Sequence, residues 1–186
     1  LANVGNLTHP FKTWMILMLN CAWTSVDLST LRYENLIWET NILGNRVITR
    51  IDKMRIKSGQ TSQWKLWYIS SLLLTAHVNK KYGFGQIDKD ALIFTDRNGQ
   101  SINRTYINSN GNIQKVDVVF NTFSRARRRA DIPKGKSVKH FRKTIATAME
   151  EITEGKHPLM VSWLLSHKPQ SMSRMHYSNP HNLTTD

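Results

Sequence analysis

Three features of the sequence predict an α+β domain that is mainly helical with a small antiparallel sheet. The chain has 186 residues, 40% of them hydrophobic, enough for one buried core and too many for a disordered segment. Most of its apolar residues recur at helical spacing. One region alternates instead and is rich in Val and Ile, and it turns back on itself after Ser58-Gly59-Gln60, which is the signature of a hairpin.

Pro10 to Ala22 reads as a helix with Pro10 in its first turn. Phe11, Trp14, Met15, Leu17, Met18 and Leu19 cover most of its surface, so it is expected to be buried. Thr24-Ser25-Val26-Asp27 fits a capping box, which opens a second helix from Ser25 to about Tyr33 with Val26, Leu28 and Leu31 inward. Strands are expected over Asn45 to Asp52 and Met54 to Lys57, with Ser62 to Trp67 returning. Tyr68 to Tyr82 is a helix around Leu72, Leu73 and Leu74, stopped by Gly83. Ala91 to Thr95 is a short strand before a tight Asn98-Gly99 turn. Val116 to Ala130 is a helix with Val119, Phe120 and Phe123 inward. Ser137 caps a further helix that ends near Thr153 and Gly155, and Pro158 opens another through Leu165. Residues 178–186 read as a polar tail.

The formal net charge is +13, from 26 Lys and Arg against 13 Asp and Glu. Such an excess favours a polyanionic partner, nucleic acid before an anionic membrane surface. No apolar run approaches the ~20 residues of a membrane span, and Trp14 to Leu19 lacks the flanks of a signal peptide. A single cysteine, Cys21, excludes an internal disulfide and suits a reducing compartment. The histidines offer no spacing typical of a zinc site. Between Arg125 and Lys143 there are nine Lys or Arg and one acid, Asp131. Arg125, Arg127, Arg128, Arg129 and Lys143 therefore read as a surface that contacts a phosphate backbone, with Lys53 and Arg55 on the hairpin added to it.

Chemistry concentrates near the end of the chain. Leu164-Leu165-Ser166-His167 is followed by Tyr177, ten residues after His167, and Lys139-His140-Phe141-Arg142 precedes both. A tyrosine with a free pKa of about 10 is a poor nucleophile unaided. It becomes effective against a phosphate when cations hold the phosphate oxygens and a donor protonates the leaving oxygen. Arg142 suits the first task, because a guanidinium can clamp phosphate bidentately. Taken singly, Arg142 reads equally as part of a solvated basic helix face, His167 as a helix-end histidine, and Tyr177 as an anchor for a terminal helix.

In combination, over about residues 8–178, these stretches resemble the tyrosine recombinases, the phage integrase family. Arg142 falls on the arginine of the family's H-x-x-R box, His167 on the histidine of its L-G-H box, and Tyr177 on its nucleophile. Lys57, in Arg55-Ile56-Lys57-Ser58-Gly59, resembles the lysine of the K-T-G hairpin, with Lys53 as second choice. The resemblance implies a single catalytic domain over residues 1–186, with a DNA-clamping domain expected N-terminal to it. It implies strand cleavage and rejoining through a 3′-phosphotyrosyl link, which conserves bond energy and needs no cofactor or metal. It also implies double-stranded DNA as partner, a homotetramer on DNA, and a cytoplasmic, nucleoid-associated setting.

This sequence departs from the family pattern at three positions. Lys139 stands where the H-x-x-R box has histidine, and the neighbouring His140 points about 100° away on a helix. Ser166 stands where glycine is usual. In the first box, T-G-x-R-x-x-E-x-x-x-L-R, Asp27, Leu31 and Arg32 fit, but the first catalytic arginine falls on Thr24. Either another cation fills that place, from Arg50, Lys53, Lys139 or a neighbouring protomer, or the site is slow or dead. A degenerate relative that binds DNA without cutting it is the alternative reading, and an unrelated basic nucleic-acid-binding module is the third.

Overall fold

The structure is a computed structural model that describes residues 9–165 apart from Lys57 and Phe84. His167 and Tyr177 lie outside the described residues, as does Lys57.

Helix α1, His9–Asn20, presents Phe11, Trp14, Leu17 and Met18 to the core and packs against α3, Tyr68–Tyr82. Trp14 meets both Phe11 and Phe94 edge-on, a favourable arrangement for aromatic quadrupoles. Asn20 closes the end of α1 against the chain entering α3: its amide donates to the Lys65 carbonyl at 3.1 Å and accepts the Trp67 N–H at 2.8 Å. Helix α2 is short, Ser25–Ser29, with a 3-10 turn over Tyr33–Asn35 behind it. Leu28 and Leu31 are fully buried, whereas Val26, expected inward, is exposed.

The sheet has three antiparallel strands in the order β1-β2-β3: Leu36–Thr40, Arg46–Arg55 and Gln60–Lys65. Strand β1 is an addition to the expected hairpin, and the two strands expected over residues 45–57 are one. Along β2, Trp38 pairs with Ile48 and Ile37 with Arg50, so Thr49 is an extra residue. Such a bulge shifts the alternation by one position, and Ile48 and Ile51 both reach the core. From Ile51 onward the inward face carries Ile51, Lys53 and Arg55.

Beyond Gly83, whose φ of +67° suits a residue without Cβ, the chain makes isolated bridges, Arg32 to Leu92 and Thr95 to Ser101. These replace the strand expected over Ala91 to Thr95. A second antiparallel pair, β4 (Asn103–Ile107) and β5 (Ile113–Asp117), precedes α4, Val118–Arg129. Asp117 caps α4 by accepting the Phe120 N–H at 2.9 Å. Helix α5 is Lys139–Ile152 and α6 is Pro158–Leu164. Phe123 of α4 meets Phe141 of α5 edge-on.

Two expected core sets are corrected by helix geometry, since consecutive residues point about 100° apart. Leu74 of α3 is buried and Leu72 exposed; on α4 Val119 is buried and Phe120 exposed.

Candidate active site

Five segments meet at one place: the turn after α1, the start of α2, the last residues of β2, the first turns of α5 and the end of α6. Ala22, in the turn, has φ of +51°, a left-handed conformation that is costly for a residue with a Cβ. Its carbonyl accepts from Arg142 Nη1 at 2.5 Å. Arg142 Nη2 donates to the Leu165 carbonyl at 2.6 Å, and Arg55 Nη1 donates to that same oxygen at 2.6 Å. The two guanidiniums thus converge on one acceptor.

Asp27 is the counter-charge. Arg55 grips it side-on, with Nε at 3.0 Å from Oδ1 and Nη2 at 3.1 Å from Oδ2. The N–H and the hydroxyl of Thr24 also donate to Oδ2, each at 2.8 Å. The Thr24 hydroxyl therefore serves the carboxylate as a donor. Lys53 Nζ sits beneath this group. It donates to the Asp27 carbonyl at 2.7 Å and to Thr30 Oγ1 at 2.5 Å, and lies 5.6 Å from the Trp23 ring centre, within range of a cation–π contact.

Burial and neighbouring charge set the protonation states. Burial pushes the Asp27 carboxyl up, yet the hydrogen bonds from Arg55 and Thr24 outweigh it and hold the group below its usual range. Burial lowers Lys53 to about 8; Arg55 and Arg32 act in the same direction and Asp27 opposes them. Burial, then the nearby Arg55, lowers Arg142 to about 10, against a partial opposing effect of Asp27. Arg142 thus stays cationic at neutral pH. The site carries the guanidiniums of Arg55 and Arg142 and the Lys53 ammonium against one carboxylate, a local excess of positive charge in partly dry surroundings.

The sequence-predicted residues distribute as follows. Arg142 is at the centre of this cluster. Lys139, one turn earlier on α5, is exposed. His140 turns back instead, its Nδ1 accepting the Ser137 N–H at 3.0 Å. It lines a shallow cavity of about 450 Å³ with Lys136, Lys143 and Thr144, and on a helix it lies about 200° around from Arg142. Lys53 and Arg55, assigned from the sequence to the DNA-facing surface, are 6% and 4% exposed. The bulge at Thr49 puts both on the core side, where Asp27 and its carbonyl hold them. Arg125, Arg128, Arg129 and Lys143 are exposed, and Arg127 is half-buried with Nη1 on the Pro133 carbonyl at 3.0 Å. Arg50 leans toward Asp52, at 3.6 Å. Arg55 is not among the residues expected to fill the place of Thr24. Its signal in the sequence is its parity with Ile51, two strand repeats away.

Among the described residues no group of three or more His, Cys, Asp or Glu is placed to hold a metal ion. Among them, too, no helix is long and apolar enough to cross a membrane.

No family model and no curated protein matches the chain. The fold is similar to that of solved structures of the Tn1549 transposon integrase held on DNA. One, with a circular intermediate DNA, has a TM-score of 0.55 at 14% identity, over 90% of this chain and 53% of that one. A second, with another circular intermediate DNA, has a TM-score of 0.56 at 14% identity, over 91% and 55%. A third, with transposon right end DNA, has a TM-score of 0.59 at 12% identity, over 96% and 58%. The chain spans a little over half the length of these integrase chains. The expected fold class, helices with a small antiparallel sheet in an integrase-like arrangement, is the observed one, with the β4-β5 pair as a second small sheet.

Proposed function

We propose that this chain cuts and rejoins double-stranded DNA through a covalent link to Tyr177. The observation that carries the reading is the half-buried guanidinium of Arg142, held at the end of α6 immediately before the segment that contains His167. The integrase-like fold supports it. In the proposed step the Tyr177 phenol oxygen attacks the scissile phosphorus and its proton passes to water. The P–Oη bond forms, the P–O5′ bond breaks, and the leaving O5′ takes a proton from Lys57. Arg142 and His167 hold the non-bridging oxygens as charge builds on them, and Lys139 adds a cation at the rim. Arg125, Arg127, Arg128, Arg129 and Lys143 contact the DNA backbone. The working form is a homotetramer on paired DNA sites.

A second reading, DNA binding without cleavage, is favoured by one observation: Thr24 is neutral where a phosphate-clamping arginine is expected. A nicked suicide substrate, which traps the cleaved state, separates the two. A protein–DNA adduct that survives denaturation and is lost in Tyr177→Phe supports cleavage. A salt-sensitive mobility shift without any adduct supports binding alone.

A further inference from the structure

We propose that Arg55 is the second phosphate-clamping arginine of this site, delivered from the end of β2 and oriented by Asp27. This rests on the strand-cleavage reading and adds to it a residue that the sequence pattern places elsewhere.

A phosphoryl-transfer site needs positive charge at both non-bridging oxygens. Arg142 supplies one. Arg55 is 4% exposed, and a guanidinium so buried must be matched by charge and hydrogen bonds. Asp27 matches two of its nitrogens, Nε and Nη2, and fixes the plane of the fork. The third, Nη1, is aimed away from Asp27 at the Leu165 oxygen. A helix-end carbonyl attracts a cation in any fold, but capping needs one donor, and here two guanidiniums share the oxygen. Two like charges side by side repel, and an acceptor between them offsets that repulsion. The Leu165 carbonyl is a neutral occupant of a place that suits an anionic oxygen. An ion pair serving only to tie β2 to α2 would account for Nε and Nη2. It would not account for Nη1 meeting Arg142 on a common acceptor.

The test measures adduct formation on a suicide substrate carrying either a normal scissile phosphate or each stereoisomer of a methylphosphonate there. Methyl replaces one charged oxygen, so the cation opposite it is no longer needed. Arg55→Ala should slow adduct formation on the phosphate by on the order of 10²-fold or more. On one methylphosphonate stereoisomer the same substitution should change the rate only a few-fold. Adding Thr24→Arg to Arg55→Ala should recover part of the loss on the phosphate. An unchanged rate in Arg55→Ala, or an equal penalty on all three substrates, overturns the proposal and assigns Arg55 to structure alone. If Arg55→Ala does not fold, Arg55→Lys keeps a charge for Asp27 without the fork, and the same substrate dependence is required of it. If the wild-type chain forms no adduct, the cleavage reading fails by itself. Inorganic phosphate binding then decides on Arg55. The dissociation constant should rise about tenfold in Arg55→Ala, the effect of losing one charge-assisted hydrogen bond, and equal binding overturns the proposal.

Discussion

Asp27 and Arg55 meet through two parallel hydrogen bonds, with their side chains 7% and 5% exposed. Removing one member of such a buried pair strands the other. Asp27→Ala should therefore destabilise the fold by about 3–5 kcal/mol, well beyond a typical surface substitution. Urea unfolding followed by tryptophan fluorescence measures it. A loss below about 1 kcal/mol would mean that the pair is solvated in solution.

Tyr177→Phe should abolish the covalent adduct and leave non-covalent DNA affinity within about twofold, since only the nucleophilic oxygen goes. Gel analysis after denaturation reads the first quantity and a mobility-shift titration the second. An adduct in the Phe variant would place the nucleophile elsewhere.

Arg128→Ala combined with Arg129→Ala removes two exposed charges from the last turn of α4. DNA affinity should fall on all sequences alike, and the slope of log K against log salt should lessen by about 0.9 for each phosphate no longer neutralised. If neither affinity nor slope moves, that end of α4 does not face DNA.

Lys53 has a pKa of about 8 in the fold, against about 10.4 in an unfolded chain. Between those values the unfolded chain holds a proton that the folded chain has released. The contribution of Lys53 to stability should accordingly rise with pH from about 8 to 10.4. Lys53→Met should flatten this rise whatever it does to the absolute stability. Urea midpoints across that range check it, and a wild-type and a variant of equal slope would refute the burial of Lys53.

Much of this architecture is legible in the sequence because local signals agree with the fold. Tyr68–Tyr82 is the expected helix from end to end, with Gly83 as its stop, and Pro158 opens α6 as expected. Strands β4 and β5 are not legible, because none of their residues is fully buried and there is no inward face to write an alternation. Arg142 is singled out in the sequence by its box, and it lies in the cluster with Asp27 and Arg55. Arg55 is not, because a basic hairpin reads as surface, and only the extra residue at Thr49 and the carboxylate of Asp27 draw its side chain inward. The capping box shows that Thr24 and Asp27 are partners, but the direction of the hydroxyl bond between them is visible only in the structure.

The side-on grip of Asp27 separates where a charge sits in space from where it is encoded in the chain. Asp27 Oδ2 already accepts from both Thr24 and Arg55, so a guanidinium reaching it from either neighbour would be anchored to one fixed point. The carboxylate works as an address, which an arginine of the strand answers here. A sequence pattern that demands arginine at one position would then discard chains that keep the same charge at the same point by another route.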